Sequence, residues 1–272
     1  MAPLARPPGR GGDAGDAFAV TALEIAHVSK RFGGLVANDD VTFAVEEGEI
    51  VGVIGPNGAG KTTLFNCLAG YMHPEGGQIR LYGREITRRR PDQICKLGVS
   101  RTWQLVRIFR RMSVLDNVIC GALNRARSTD EARELAQRLV AFAGLRGNEH
   151  ASAGSLPLAD KKRLEIARAL ATRPRVLLLD EAMSGLTPAE AAAAVDFVRL
   201  VHREFRREFA RDASPMTICV VEHVMEVIMP LSHRVVVLNY GRVIAEGSPE
   251  AVARDELVIK AYLGQRYRAR GH

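Results

Sequence analysis

Residues 55–62 bring glycines, a lysine and a threonine together at the spacing of a phosphate-binding loop. The stretch reads Gly55-Pro56-Asn57-Gly58-Ala59-Gly60-Lys61-Thr62 and meets the pattern G-x-x-x-x-G-K-[ST] in full. Glycines allow successive backbone N–H groups to point at anionic oxygens. We expect Lys61 to reach the β- and γ-phosphates and the Thr62 hydroxyl to coordinate Mg²⁺. The loop therefore predicts a nucleoside triphosphate site.

The elements on either side of this loop are the ones that a phosphate site requires. Residues 49–54 form a short β-branched run suited to a buried parallel strand, and the chain continues from Thr63 to Ala69 as a helix. The N-terminus of that helix adds partial positive charge beside the loop, and we include Thr63 among the nucleotide-binding residues. A glycine-rich turn that binds nothing is the alternative, and the complete motif between a strand and a helix disfavours it.

An apolar strand that ends in two acids gives a second site. Val176-Leu177-Leu178-Leu179 is followed directly by Asp180 and Glu181. With these residues the chain resembles the ATP-binding subunit of an ABC transporter, and the resemblance covers nearly all of residues 23–264. The matching elements, in chain order, are the Walker A loop at 55–62, the Q-loop glutamine Gln104, the Walker B residues Asp180 and Glu181, the D-loop at 184–187 and the switch histidine His223.

The resemblance implies a role for each matching residue. Asp180 holds Mg²⁺ through water, and Gln104 supplies a neutral oxygen ligand to the metal and a link to the helical subdomain. Glu181 is the general base that orients and deprotonates the attacking water. His223 contacts the γ-phosphate and holds that water and Glu181 in place. Phe32 matches the aromatic residue that stacks on adenine, and a ring packed on the β layer is the alternative.

One element departs from the family pattern. Where family members carry a signature resembling L-S-G-G-Q, this chain reads Leu156-Pro157-Leu158-Ala159-Asp160. The serine and both glycines are missing, so the chain lacks the hydroxyl and the glycine N–H that close on the γ-phosphate held by the opposite subunit. We expect weakened function of the site that this signature completes, with N–H groups of the following helix still available. Ser155 offers a displaced hydroxyl, and Thr187 and Ala182 are milder departures.

Several segments are similar to the ATPases of branched-chain amino acid importers: residues 101–104, 107–109, 164–170, 221–225, 245–250 and 261–264. That group usually pairs two different ATPase subunits with two membrane permease subunits and a solute-binding protein. The resemblance therefore implies a second ABC ATPase subunit, transmembrane permeases and, indirectly, a solute receptor as partners. A heterodimer would supply an intact signature, whereas both sites of a homodimer would carry the altered one, and both arrangements stay open. Branched-chain amino acids, urea, short amides and aromatic acids are all compatible solutes.

The predicted fold is α/β, an ABC-type nucleotide-binding domain with a RecA-like P-loop core, a small antiparallel β layer and a helical subdomain at about 105–163. Strand patterns at 23–28, 41–45 and 76–83 predict the β layer. Strands and helices alternate after residue 161, which favours a parallel sheet covered on both faces. We assign residues 1–21 to a disordered tail, 22–264 to the ATPase domain and 265–272 to a basic C-terminal tail.

Composition and charge limit the classes of protein to which this chain can belong. Of 272 residues, 47% are hydrophobic and 25% are charged, and no apolar run is long enough to span a bilayer. We find no secretory signal and expect the chain at the cytoplasmic face of the inner membrane. The net charge of +7, with arginine-dense segments at 84–90 and 107–111, favours a membrane-proximal surface over nucleic-acid binding. The four cysteines lack a C-x-x-C pair, and we expect reduced core thiols.

Two competing classes remain. A soluble ABC ATPase acting on a nucleic-acid or ribosome partner would account for the positive charge, but such proteins usually carry two P-loops or a long coiled coil, and this chain has one P-loop and no sustained heptads. A regulatory subunit that does not hydrolyse ATP would account for the altered signature. The intact Lys61, Asp180, Glu181 and His223 favour an ATP-hydrolysing subunit instead.

Overall fold

The computed structural model describes residues 20–210 and 212–269, without the side chains of residues 263–269. Of the predicted tails, residues 1–19 and 270–272 lie outside the described residues. Thr21 is the first residue of a strand, and residues 265–269 belong to a helix. The described strands are β1 Thr21–Phe32, β2 Leu35–Glu46, β3 Ile50–Ile54, β4 Gly76–Leu81, β5 Arg84–Glu85, β6 Val99–Arg101, β7 Val176–Asp180, β8 Thr217–Val221, β9 Arg234–Asn239 and β10 Arg242–Gly247. The described α-helices are α1 Lys61–Leu68, α2 Pro91–Leu97, α3 Val114–Ala122, α4 Thr129–Phe142, α5 Leu158–Ala171, α6 Pro188–Phe205, α7 Met225–Leu231, α8 Pro249–Ala253 and α9 Glu256–Ala269.

The smaller sheet is antiparallel, with the strand order β2-β1-β4-β5. β1 and β2 form a long hairpin in which Thr21 lies opposite Glu46 and Phe32 opposite Leu35. The hairpin is longer than the sequence pattern predicts, because backbone pairing continues past the buried residues to an exposed turn. The predicted β layer is confirmed.

The larger sheet has the strand order β10-β9-β3-β8-β7-β6. Its strands from β9 to β6 are parallel, and β10 pairs with β9 in the antiparallel direction. Every residue of β3, β7 and β8 is buried, as expected for parallel strands covered on both faces. Because these strands run in the same direction, their carboxyl ends meet at one edge of the sheet.

Alternating side chains of the central strands enter two different cores. Leu177 and Leu179 of β7 pack into a core shared with α3, α4, α5 and α6, whereas Val176 and Leu178 pack into a core shared with α1 and the antiparallel sheet. The parallel sheet is therefore the layer between the helical region and the β layer, and it fixes the position of both.

Two short elements between the β layer and the helical region, α2 and β6, were not predicted. β6 has only three residues and pairs with β7, so that Arg101 lies opposite Leu178. A three-residue strand carries too little periodicity to be recognised from sequence. This strand is relevant to the site because the Q-loop, which contains Gln104, begins where β6 ends.

The four cysteines are free, but they are not all core residues. Cys67 and Cys219 are buried, and burial raises their thiol pKa values to about 11 and about 12. Cys120 is exposed on α3 and Cys95 is half-buried on α2, so the prediction of core thiols is wrong for these two. Within residues 20–210 and 212–269, no helix combines the length and the apolarity needed to cross a membrane.

Candidate nucleotide-binding and hydrolysis site

The predicted functional residues meet at the carboxyl edge of the parallel sheet. Val221, the last residue of β8, lies opposite both Val53 of β3 and Asp180 of β7. The P-loop follows β3, and His223 follows β8 after one residue. Ligands of open parallel sheets bind outside this edge of the strands. The fold therefore places the phosphate loop, the acid pair and the histidine around one crevice.

Close backbone contacts explain the first and last glycines of the P-loop. A Cβ atom at Gly55 would lie 2.1 Å from the carbonyl oxygen of Leu238, and one at Gly60 would lie 2.2 Å from that of Ala37. Both glycines also have positive φ angles, of 150° and 100°. Asn38 Nδ2 donates to the Gly60 carbonyl at 3.2 Å, so β2 holds the end of the loop from outside.

Lys61 is the first residue of α1, and its side chain is almost fully buried. Its Nζ donates to the carbonyl oxygens of Gly55 at 2.6 Å and Pro56 at 3.0 Å, which holds the ammonium inside the curve of the loop. Burial lowers the Lys61 pKa, and the nearby carboxylates of Glu181 and Asp180 oppose that shift. The positive charge is therefore already placed between the loop and the acid pair.

Asp180 is fully buried, and its two carboxylate oxygens have different surroundings. Oδ2 accepts a 2.6 Å hydrogen bond from Arg101 Nη2, and Arg101 Nη1 donates to Asn66 of α1 at 2.6 Å. Oδ1 is buried and has no hydrogen-bond partner among the described residues. Burial raises the Asp180 pKa, and the Arg101 guanidinium opposes that shift. An unpartnered carboxylate oxygen is costly to bury, and a cation with its water would satisfy it, so Asp180 fits the predicted metal role.

Glu181 is held by residues from two other segments. Its backbone has a φ of 47°, and its N–H donates to the Val221 carbonyl at 2.9 Å. Gln104 Nε2 donates to Glu181 Oε2 at 2.8 Å, and His223 Nδ1 lies 3.9 Å from the same oxygen. Gln104, His223 and Glu181 thus come together as the sequence predicts, with the Gln104 amide directed at Glu181. His223 is about half exposed, which leaves its ring accessible to a ligand in the crevice.

The D-loop is fixed at both ends. Glu222 is fully buried, and its Oε1 accepts from the N–H of Met183 at 2.8 Å. Thr187 is the N-cap of α6 and forms a capping box with Glu190. The capping box gives a structural reason for a threonine at this position.

The altered signature leads directly into α5. Pro157 is the N-cap of this helix and, being a proline, gives it no side-chain cap hydrogen bond. Leu158 is exposed at the first position of the helix and lies near Gly185 of the D-loop. The hydroxyl of Ser155 donates to the Ser152 carbonyl at 2.8 Å. The first N–H groups of α5 consequently have no side-chain acceptor at the N-cap.

Phe32 lies at the end of the β1–β2 hairpin and is 45% exposed. Lys30 Nζ is 5.5 Å from the ring centroid. Leu35 is the strand partner of Phe32, and Asn38, which contacts the P-loop, follows three residues later on β2. At about 3.3 Å per residue, the ring is on the order of 10 Å along the strand from the P-loop contact.

Replacing Phe32 with alanine is expected to weaken ATP binding, because a stacked base loses about 1–3 kcal/mol when the aromatic ring is removed. That loss corresponds to roughly a 5- to 150-fold increase in Kd. Turnover at saturating ATP should be unchanged, since the phosphate site is untouched. Titration with Mg-ATP, followed by the fluorescence of Trp103, measures the Kd. The control is Phe32→Tyr, which keeps the ring, and an unchanged Kd in Phe32→Ala would contradict stacking.

Four residues that support the site were not predicted from the sequence: Asn38, Arg101, Lys162 and Glu222. Lys162 Nζ donates to the backbone carbonyl of Glu181 at 3.0 Å. Arg101 and Glu222 lie close in sequence to the matched residues Gln104 and His223, and this proximity could have marked them as candidates. Nothing in the sequence marks Lys162, because a lysine on an amphipathic helix is usually solvent-exposed.

A phosphate loop on a parallel sheet, flanked by an antiparallel β layer on one side and a helical region on the other, defines an ATP-binding cassette. A profile of the family described as "ABC transporter" matches residues 38–184, and one described as "Branched-chain amino acid ATP-binding cassette transporter" matches residues 242–268. The chain belongs to the ABC transporter family.

Three known proteins show how far the similarity extends. The chain is 40% identical to the high-affinity branched-chain amino acid transport ATP-binding protein BraF of Pseudomonas aeruginosa, covering 89% of this chain and 98% of that protein. It is 36% identical to the corresponding protein LivG of Escherichia coli, with the same coverage. A solved ATP-binding cassette of an ABC transporter superposes with a TM-score of 0.78 at 27% identity, covering 89% of this chain and 98% of that one. The predicted family, fold class and ATPase activity are confirmed.

Proposed function

We propose that this chain is the ATP-hydrolysing subunit of an importer for branched-chain amino acids, attached to permease subunits at the cytoplasmic face of the membrane. The observation that carries the proposal is the meeting of Glu181 with Gln104 and His223 beside the P-loop. The solute is inferred from relatives that are named for branched-chain amino acid transport and are matched over 98% of their length. This similarity favours branched-chain amino acids over urea, short amides and aromatic acids.

In the proposed reaction, Glu181 accepts the proton of the water that attacks the γ-phosphorus of ATP. The bond from the γ-phosphorus to the bridging oxygen then breaks, and ADP and phosphate form. The hydrogen bond from Gln104 fixes the orientation of the carboxylate, so the base does not have to reorganise during the reaction. Lys61 balances the charge of the β- and γ-phosphates, and His223 is near enough to Glu181 to contact the γ-phosphate beside it.

Asp180, Thr62 and Gln104 are the residues that we propose to hold Mg²⁺. Asp180 offers a buried, unpartnered carboxylate oxygen, and Thr62 is exposed in the first turn of α1. Arg101 donates a hydrogen bond to the other oxygen of Asp180, Oδ2, and so fixes the orientation of the carboxylate that carries the free oxygen. The ion would neutralise charge on the phosphate oxygens.

We propose that ATP joins this subunit face to face with a second ABC ATPase subunit, and that hydrolysis separates them. The exposed start of α5, with Leu158 in place of the signature glycine, would face the nucleotide of the partner. A partner with an intact signature would complete the site formed by this chain's Lys61 and Glu181. The altered signature therefore favours a heterodimer.

A cleft of about 290 Å³ between the nucleotide-binding core and the helical region is the proposed docking site for a permease. It is lined by residues from α2, β6, α3 and α5, and it includes the half-exposed aromatic rings of Tyr71 and Phe109. Tyr71 packs against Trp103, next to Gln104, with ring centroids 4.7 Å apart. A segment bound in this cleft would consequently contact the Q-loop and, through Gln104, reach Glu181.

Uptake of radiolabelled leucine by cells that lack this chain tests both the solute and the docking cleft. The wild-type chain should restore uptake, and Phe109→Asp should not, because a carboxylate in the cleft opposes apolar docking. The control is Leu257→Asp, which changes a similarly exposed apolar residue on α9 and should restore uptake. Restored uptake by Phe109→Asp would contradict the docking site. Uptake of urea or a short amide in place of leucine would contradict the solute.

A further inference from the structure

We propose that Lys162 is a positioning residue that connects the helix following the signature, α5, to the general base Glu181. The inference rests on the role proposed above for Glu181. Lys162 acts through the backbone of Glu181, whose carbonyl oxygen accepts a hydrogen bond from Lys162 Nζ at 3.0 Å.

The backbone of Glu181 needs to be held from outside. Its φ of 47° lies in the left-handed region, which non-glycine residues adopt at a cost of about 1–2 kcal/mol. The N–H of Glu181 donates to Val221 of β8, and its carbonyl accepts from Lys162 of α5. These two bonds hold the residue from opposite sides. Because the backbone sets the direction of the side chain, they also determine where the carboxylate lies.

The surroundings of Lys162 explain why a charged donor occupies a buried position. The side chain is 6% exposed, and a buried ammonium requires compensating charge. Burial lowers its pKa, and three carboxylates oppose that shift, those of Glu222, Glu165 and Glu181. Glu222 Oε2 is itself buried and without a hydrogen-bond partner among the described residues. The ammonium therefore lies among acids that belong to α5, to the end of β7 and to the segment that carries His223.

Helix α5 begins within the altered signature, at Leu158, and Lys162 lies about one helical turn from this first residue. Glu165, one turn further on, accepts from the N–H of Arg107 in the Q-loop segment at 2.9 Å. The same helix thus holds the Q-loop through Glu165 and the general base through Lys162. If nucleotide binding at the start of α5 displaces this helix, the displacement would therefore act on the Q-loop and on the general base. In a dimer the start of α5 serves the opposite ATP site, so Lys162 links one site to the base of the other.

Lys162→Met tests this connection, because methionine fills the space but donates no hydrogen bond. We expect kcat to fall by about 10- to 100-fold, since displacement of a catalytic group by about 1 Å costs up to about 10²-fold. The KM for Mg-ATP and the Kd from Trp103 fluorescence should change by less than about threefold, because the phosphate contacts are intact. Lys162→Arg keeps a charged donor and should recover most of the lost kcat. Lys161→Met, on the neighbouring partly exposed position of α5, should behave as wild type.

Combination with Glu181→Gln separates a positioning role from a purely structural one. If Lys162 acts through Glu181, adding Lys162→Met should not lower the residual single-turnover rate of Glu181→Gln further. An equal fall in both backgrounds, or an unchanged kcat in Lys162→Met, would overturn the proposal. If Lys162→Met does not fold, Lys162→Leu, which also lacks a donor, replaces it. A reduced kcat at unchanged Kd is then expected, and a wild-type kcat would overturn the proposal. Wild-type turnover in Glu181→Gln itself would instead refute the proposed function.

Discussion

Replacing Glu181 with glutamine is expected to lower the rate of ATP hydrolysis by about 10²- to 10⁴-fold, the range that a positioned general base contributes. Glutamine has the shape of glutamate and keeps an oxygen that can accept from Gln104 Nε2. It cannot accept a proton from water. ATP binding should therefore persist, with a Kd within about threefold of the wild-type value. Phosphate release measures the turnover, and Trp103 fluorescence measures the Kd.

Trp103 is suited to this measurement because it is the only tryptophan in the sequence. It directly precedes Gln104, and its ring lies between the guanidinium groups of Arg101 and Arg107, whose central carbons are 4.4 and 4.2 Å from the ring centroid. A matched control is Glu134→Gln, which changes an exposed glutamate on α4 and should leave turnover unchanged. Turnover in Glu181→Gln within fivefold of wild type would show that another group is the base.

Replacing Lys61 with alanine is expected to weaken ATP binding and to lower turnover. A hydrogen bond to a charged group contributes about 1.5–3 kcal/mol, which corresponds to roughly a 10- to 150-fold increase in Kd. The Lys61 ammonium also stabilises charge in the transition state. Removing one such donor at an oxyanion site lowers kcat by about 10²- to 10³-fold, and we expect a loss of that order here. Combined, kcat/KM should fall by about 10³-fold or more. Isothermal titration with Mg-ATP measures the Kd, and steady-state kinetics measure kcat and KM.

The folded state of Lys61→Ala is checked separately, because the Lys61 ammonium also holds the carbonyl oxygens of Gly55 and Pro56. Removing a buried cation relieves its desolvation cost, so we expect a small change in the free energy of unfolding. The control is Lys96→Ala at an exposed position of α2. Wild-type ATP affinity in a folded Lys61→Ala variant would contradict the role of the P-loop lysine.

The parts of the fold and the site that could be predicted are those with a strong local pattern. The apolar runs of β3, β7 and β8 predict buried parallel strands, and the P-loop motif predicts the turn between β3 and α1. Asp180 is the last residue of β7 and His223 lies two residues beyond the end of β8, and the carboxyl ends of neighbouring parallel strands lie at one edge. Their proximity therefore follows from the sequence once the strands are placed next to one another.

The remaining parts depend on contacts between segments that are distant in sequence. Arg101 pairs with Asp180 across 79 positions, and Lys162 reaches Glu181 only because α5 packs beside the end of β7. No local pattern marks either contact. The requirement for glycine at positions 55 and 60 is similar, because it arises from the carbonyl oxygens of β9 and β2 as well as from the turn itself.

In the proposed face-to-face dimer, the altered signature bears on which subunit completes the ATP site. Pro157 offers no N–H, and Leu158 is too bulky for the close approach that a glycine permits. The available N–H groups of α5 are the remaining anion donors. Closure of two copies of this chain would depend on those groups alone, whereas closure with a different ATPase subunit would give this chain's P-loop an intact signature.

ATP-dependent dimerisation of the Glu181→Gln variant, measured by size-exclusion chromatography, tests the proposed motor most directly. The variant should bind Mg-ATP without hydrolysing it and elute as a dimer, either alone or after mixing with the partner ATPase, and it should elute as a monomer with ADP. A dimer of the chain alone would mean that the altered signature closes on nucleotide, and a dimer only after mixing would mean a heterodimer. A monomer under both conditions at saturating ATP would contradict ATP-driven closure as the basis of its function.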